Sequence, residues 1–278
     1  MKMKIAYQGV AGAYSHIACQ NVFPHQEYIS CDTFEIAMNL VQSNQADLAM
    51  IPVENSNAGR VTDVHFLLPD TGLFINGEYF LRIRHQLLGL PDSKLENITS
   101  ASSHPQALAQ CADFLKQHHI KPIARIDTAK SCEDILQKSD NTQAAIASSL
   151  AAEIYGLKIL APDIENAYNN TTRFLIMSPN NVIPEYDGKK FITSFVFHIK
   201  SIPAALYKAL GGFATNGINI TKLESYLVDG KFVSAQFYAE IEAHPEEQAY
   251  KNAFEELNFF ADYIKILGTY YSHTYREI

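Results

Sequence analysis

The feature that most constrains the fold is an interruption. From residue 178 the stretch SPNNVIPEYDGKK places two prolines, two asparagines and an Asp-Gly pair in a row where every hydrophobic periodicity stops. A chain of 278 residues exceeds the usual single-domain length, so the break reads as a linker, residues 179–190, between two domains.

Before the break, strand-like and helix-like segments alternate. KIAYQG reads as a short buried strand, AYSHIACQNVF and TFEIAMNLVQSNQ as helices, and ADLAMIPVE as a strand. GLFINGEYFLRIRHQLLGLP suggests longer strands, and ITSASSH, PQALAQCADFLKQHH and IKPIARID repeat the order strand, helix, strand. TAKSCEDILQKS and QAAIASSLAAEIYG read as further helices, with KILAPDI and RFLIM as strands. Such alternation implies an α/β layer with a largely parallel sheet. After the break, FITSFVFHI, PAALYKALGGFATN, INITKLESYLV, FVSAQFYAEIE, HPEEQAYKNAFEELNFF and YIKILGTYY give β-α-β-β-α-β, a ferredoxin-like α+β order with a hairpin expected at Asp229-Gly230.

A net charge of -8 with no Lys/Arg-rich run disfavours a nucleic-acid or anionic-membrane partner. Cys19, Cys31, Cys111 and Cys132 have no CxxC spacing, so they read as buried free thiols, not a zinc or redox motif. His118 and His119 have no ligand-spaced carboxylate, so no metal site is expected. MKMKIAYQG lacks the apolar core of a signal peptide and no run of about eighteen apolar residues occurs, which points to the cytoplasm.

Five polar constellations could carry chemistry. GVAGAYSHIA follows a strand and opens a helix, with Ser15 in the first turn; an anion site and a plain tight turn both account for it. IPVENSNAGRV leaves a hydrophobic strand through Asn55 and Ser56, at the strand end where open α/β sheets bind ligands, though Asn and Ser also make simple loops. In SSHPQALAQC, Ser103 and Gln106 have capping-box spacing, Pro105 suits a first turn, His104 enters the helix, and Gln110 lies one turn after Gln106. In IDTAKSCEDIL, Asp127 or Thr128 caps a helix. In NNTTRFLIM, Thr172 and Arg173 begin a strand, and an ideal strand would send them to opposite faces unless a bend brought both to one cleft.

Together and in this order, the segments resemble the prephenate dehydratase family. The matched motifs are GxxGxYSxxA at residues 9–18, PVENSxxGxV at 52–61, SHPQALAQC at 103–111, DTAxS at 127–131 and TRF at 172–174, with AAIAS and YGL between them. The resemblance implies a catalytic region, residues 1–178, of two α/β lobes similar to periplasmic binding proteins, roughly 1–77 plus 160–178 and 78–159, with the site in the cleft between them. It further implies a ferredoxin-like ACT regulatory domain at 191–278, and a lyase that converts prephenate to phenylpyruvate, water and carbon dioxide in phenylalanine biosynthesis without a cofactor. Arogenate dehydratase and a non-enzymatic amino-acid sensor are the alternatives.

By the same resemblance Thr172 donates to the departing hydroxyl and Arg173 clamps a carboxylate. Asn55, Ser103 and Gln110 complete the catalytic set, and Ser15, Ser56, Gln106, Thr128 and Phe174 contact substrate. L-Phenylalanine is implied as an allosteric effector held by Ala204, Ala205, Leu206, Asn216, Asn219, Glu224 and Ser225, and a homo-oligomer, dimer or tetramer, is implied by ACT pairing. Here the chain departs from the family: Pro203-Ala204-Ala205-Leu206 stands for Pro-Gly-Ala-Leu and Glu224-Ser225-Tyr226-Leu227 for Glu-Ser-Arg-Pro. An added methyl and a lost charge put the regulatory expectation at issue.

Overall fold

The computed structural model describes residues 2–227 and 235–277; the hairpin expected at Asp229-Gly230 lies outside them. Along the chain come Lys4–Gln8 (β1), Tyr14–Val22 (α1), Glu27–Cys31 (β2), Phe34–Gln42 (α2), Leu48–Asn55 (β3), Gly59–Arg60 (β4), Thr62–Leu67 (α3) and Phe74–Arg82 (β5). Next are Gln86–Gly89 (β6), Ser100–Ser103 (β7), Pro105–Gln110 (α4), Ala112–Gln117 (α5), Lys121–Ala124 (β8), Lys130–Lys138 (α6), Gln143–Ala147 (β9), Ser149–Tyr155 (α7), Lys158–Ala161 (β10) and Thr171–Ser178 (β11). The remainder is Phe191–Ile199 (β12), Ala205–Thr215 (α8), Ile220–Leu227 (β13), Ala235–Ile241 (β14), Gln248–Phe260 (α9) and Ala261–Tyr271 (β15).

The chain divides into two compact units, Met1–Thr62 with Tyr79–Phe174, and Asp63–Glu78 with Leu175–Ile278. One sheet has the order β2-β1-β3-β11-β5, with β4 beside β3, and a second has β10-β6-β9-β7-β8. The pairs β1/β2 and β1/β3 are parallel, as are β7/β8 and β7/β9, whereas β6 runs antiparallel to both β9 and β10. The second sheet is therefore mixed where a largely parallel one was expected.

Two readings of helix need correction. QAAIA forms β9, inside its sheet between β6 and β7, and only residues after Ser148 continue as α7. Alanine favours helix, but small side chains also suit a strand buried on both faces, and Ala144, Ala145, Ile146 and Ala147 are all fully buried. PQALAQCADFLKQHH is two helices, α4 and α5, separated at Cys111. The expected Ser103 capping box does not form: His104 is the N-cap of α4, its Nδ1 accepting from the Gln106 N–H at 3.2 Å, and the Ser103 hydroxyl donates to the Ile146 carbonyl at 2.7 Å.

Within the first unit, the loop between β1 and α1 packs against α7. A Cβ on Gly12, whose φ is +87°, would lie 2.7 Å from Ala151 Cα, and Ser148 Oγ donates to the Gly12 carbonyl at 2.6 Å. The close backbone approach that this glycine permits is thus made by another helix.

In the second unit the sheet order β13-β14-β12-β15 is the ferredoxin-like one, with β12 antiparallel to both β14 and β15. Phe195, Phe197, Phe213, Phe237, Ile241 and Leu257 form its core between α8, α9 and one sheet face. Residues 63–78 cover the other face: His65 meets Tyr238 edge-on at 5.2 Å, Phe66 meets Tyr226 at 5.6 Å, and Lys265 Nζ donates to the Pro69 carbonyl at 2.6 Å. Beneath them the side chains of Glu78 and Glu240 are fully buried, and Arg276 serves both, binding Glu78 through Nε at 2.7 Å and a second nitrogen at 2.9 Å and Glu240 at 2.7 Å. Removing that guanidinium takes its charge-assisted bonds away from two buried carboxylates, so Arg276→Met is expected to cost about 3–5 kcal/mol in urea unfolding.

Candidate active site

A cleft of about 460 Å³ opens in the first unit, lined entirely by its residues. One wall comes from the end of β1, the start of α1, the β3-to-β4 turn and β11; the other comes from the segment between β5 and β6, from α4 and from the loop before α6. The amino-terminal ends of α1, α4 and α6 all border it through Ser15, Gln106 and Thr128. A helix amino terminus carries a positive dipole end; that of α1 has no side-chain cap, whereas His104 takes the Gln106 N–H at α4 and Asp127 the Lys130 N–H at α6. Phe34, Pro52, Val61, Ile83 and Phe174 add apolar wall.

Of the residues the sequence singled out, Ser15, Asn55, Gln106, Gln110, Thr128, Thr172 and Phe174 line the cleft. Ser56, Ser103 and Arg173 do not. Ser56 staples β3 to β11, its hydroxyl donating to the Asn169 carbonyl at 2.7 Å and accepting from the Thr171 N–H at 3.0 Å. Arg173 lies on the face of β11 opposite Thr172 and Phe174, only 4% exposed, with its guanidinium 6.0 Å from the centre of the Phe80 ring. The strand keeps its pleat, so Thr172 and Arg173 do not share the cleft.

Asn55 sets the polarity of the site. Its Oδ1 accepts the backbone N–H groups of Asn57 at 3.0 Å and Ala58 at 2.9 Å, which turns its amino end inward. From there Nδ2 donates to Thr172 Oγ1 at 2.9 Å and to Asn170 Oδ1 at 2.8 Å. Because Thr172 Oγ1 accepts, its own proton is left to donate elsewhere. Asp127 caps the turn before α6, accepting the Lys130 N–H at 3.0 Å, and also borders the cleft.

Sequence reasoning missed Tyr14 and His85, both of which line the cleft. His85 Nδ1 lies 2.7 Å from the Tyr14 hydroxyl and its Nε2 lies 2.8 Å from Gln110 Oε1. His85 sits in an irregular segment, RIRHQ, with no motif around it; its only signal was a histidine next to an apolar strand. Burial pushes the Tyr14 phenol well above its ordinary pKa and the His85 imidazole below its own, against smaller opposing effects of Gln110 and Glu165. Both groups are therefore neutral near pH 7.

Among the described residues no group of three or more His, Cys, Asp or Glu side chains is gathered as metal ligands would be. All four cysteines are buried free thiols. Burial also lowers the pKa of His16, which stacks on Tyr7 at 5.2 Å.

For His16 and His85 the folded pKa lies below the ordinary 6.5, so the unfolded chain takes up protons first as pH falls. Stability from these groups is whole above that value and is lost as pH drops towards their folded pKa. The urea midpoint should therefore fall between pH 7 and pH 5, and fall less in His85→Gln.

The model of the family described as prephenate dehydratase matches residues 5–182. A bifunctional N-acyl-homoserine lactone acylase/prephenate dehydratase from Komagataeibacter europaeus is 43% identical over 98% of this chain and 97% of its own. The chloroplastic arogenate dehydratase/prephenate dehydratase 1 of Arabidopsis thaliana is 38% identical over 97% of this chain and 72% of its own. A solved prephenate dehydratase from Arthrobacter aurescens, in complex with L-Phe, superimposes with a TM-score of 0.89 at 27% identity, covering 97% of this chain and 90% of that one. With the family's pattern running through both walls of the cleft, the chain belongs to the prephenate dehydratase family of carbon–oxygen lyases.

Proposed function

We propose that the protein converts prephenate into phenylpyruvate, water and carbon dioxide. The observation that carries this reading is the Thr172 hydroxyl, which accepts from Asn55 and so keeps its own proton for a group in the cleft. Prephenate carries two carboxylates, a ring hydroxyl and a cyclohexadiene. Aromatisation drives loss of the hydroxyl as one carboxylate leaves as carbon dioxide. The electron pair of the breaking carbon–carboxylate bond enters the ring, the carbon–oxygen bond breaks, and a proton completes the departing water.

Thr172 is a weak acid, so it acts as a positioned hydrogen-bond donor to the leaving oxygen. The uncapped amino terminus of α1 around Ser15 receives the substrate's charge, Gln106 and Thr128 offer side-chain donors, and Phe174 and the apolar wall favour a carboxylate that loses its charge. Gln110 orients the substrate, and Ser56 and Ser103 hold the frame from outside the cleft. Arg60, which lines the cleft where Arg173 does not, holds a carboxylate. No cofactor is invoked.

Arogenate is the second reading, and the Asp127 carboxylate on the cleft wall favours it, since arogenate bears an ammonium where prephenate has a keto oxygen. Amide hydrolysis, named for the Komagataeibacter relative, would need a nucleophile beside a base. Across the cleft Tyr14 and His85 pair a hydroxyl with an imidazole, but the hydroxyl also donates to the Arg84 carbonyl at 2.9 Å, so its proton is not committed to the base and dehydration stands ahead.

The domain reading is residues 1–178 catalytic, 179–190 linker and 191–278 an ACT module; the ferredoxin-like strand order supports the last. Feedback by phenylalanine is supported by the L-Phe complex of the Arthrobacter relative. Pairing of ACT modules makes the protein a dimer or tetramer. Among the described residues no helix is long and apolar enough to cross a membrane, and four free thiols suit a reducing cytoplasm.

Purified protein should form phenylpyruvate from prephenate, and Thr172→Ala should lose about 10²- to 10³-fold in kcat with its urea midpoint kept. No product from wild type rejects the reading; full activity in the variant rejects the role of Thr172. Saturating phenylalanine should slow turnover, and an unchanged rate removes the regulatory claim alone.

A further inference from the structure

We infer that His85 is a positioning residue: it turns the Gln110 side chain so that its amino end is presented to the substrate beside the Thr172 hydroxyl. The inference rests on the proposed dehydration only for what the two donors meet.

The orientation follows from a chain of hydrogen bonds that starts at backbone. The N–H groups of Asn57 and Ala58 can only donate, so Asn55 must offer them Oδ1 and face inward with Nδ2. Asn170 must then accept with Oδ1 at 2.8 Å, which turns its Nδ2 to Gln110 at 3.0 Å. Gln110 accepts with Oε1, and the same oxygen lies 2.8 Å from His85 Nε2. For that contact to be a bond, Nε2 must carry the proton. A neutral imidazole then has its lone pair on Nδ1, so the single proton of the Tyr14 hydroxyl is divided between that nitrogen at 2.7 Å and the Arg84 carbonyl at 2.9 Å.

Two donors therefore converge on Gln110 Oε1, one from each wall, and its amino group is left for a ligand in the cleft it lines. Without His85 one of those donors is lost, and the amide is free to present its acceptor end to a substrate rich in acceptors. The backbone of His85 is itself fixed: its N–H donates to Glu165 Oε2 at 2.9 Å and its carbonyl accepts from Ile164 at 2.9 Å. The charged groups about this ring are Glu165 and the Arg84–Asp163 pair at 3.1 Å, and Tyr14 is the titratable neighbour from α1. Burial, which lowers the imidazole pKa, keeps the ring neutral, and the contact with Gln110 Oε1 is what calls for the proton on Nε2.

The test uses the full-length protein labelled with 15N-histidine. At pH 7 the His85 resonances are expected to be those of a neutral ring protonated on Nε2; a ring protonated on Nδ1, or a cation, overturns the inference. In prephenate turnover, His85→Leu should lower kcat/KM about 10- to 100-fold, whereas His85→Gln, whose amide can still donate to Gln110 Oε1, should stay within about fivefold. In the Gln110→Leu background, adding His85→Leu should change kcat/KM by less than about twofold. Equal damage from Gln and Leu at position 85, or additive losses, shows that His85 acts merely as packing and overturns the inference. If wild type consumes no prephenate, the dehydratase reading falls, and the ring's protonation state alone decides the orientation of Gln110.

Discussion

The site depends on two backbone N–H groups. A side-chain amide can rest in either of two orientations, and in solution nothing chooses between them. At Asn55 the choice is made by Asn57 and Ala58, whose N–H groups both point at Oδ1. Reversing the amide would set two donors against two donors, a loss of about 2–6 kcal/mol counting desolvated groups, which makes the reversed form rarer than one in about thirty. The turn after β3 therefore fixes which end of Asn55 meets Thr172. A threonine that accepts one hydrogen bond donates the other, so a turn with ordinary composition sets the direction of a proton in the cleft.

This explains how the site could be partly legible. Asn55, Gln110 and Thr172 sit in dense polar motifs at strand ends or on a short helix, where residue type and position both signal a ligand. Tyr14 and His85 carry no such signal, because the link between them and Gln110 is made across the two sheets and not along the chain. Ser56 and Ser103 show the converse: their hydroxyls are spent on the carbonyls of Asn169 and Ile146, so a residue inside a motif can serve the frame that holds the site. Arg173 alternates with Thr172 and Phe174 along β11, and those two line the cleft while it does not, which is strand pleat and not a property of the motif.

Fold legibility has the same physical pattern. The second unit shows clear helical periods, because α8 buries one face through Ala209 and Phe213 and α9 one face through Ala253 and Leu257, while β12 is a near-continuous apolar run buried on both faces. The first unit hides β9, whose AAIA run is compatible with helix by propensity and becomes a strand only through neighbours on both sides. It also hides the role of Gly12, which looks like a ligand turn but admits Ala151. In both cases the deciding contacts join residues far apart in sequence, and local pattern has no access to them.

The second unit raises a different constraint on any effector there. Ala204 holds φ +58°, a left-handed conformation that costs a non-glycine residue about 1–2 kcal/mol, at the position where the family usually has glycine. At the opposite end of α8, Asn216 is already engaged: its amide donates to the Gly212 carbonyl at 2.8 Å and to Glu256 at 3.2 Å, and accepts from Asn252 at 3.2 Å. Asn219 donates to Glu242 at 3.0 Å. A ligand taking these amides as partners would have to replace bonds already made within the unit, so its net gain from them is small. An amino acid bound beside Asn216 and Asn219 would then draw its affinity from apolar contact and from backbone groups, and the strained turn at Ala204, about 17 Å away along α8, is no part of that loop.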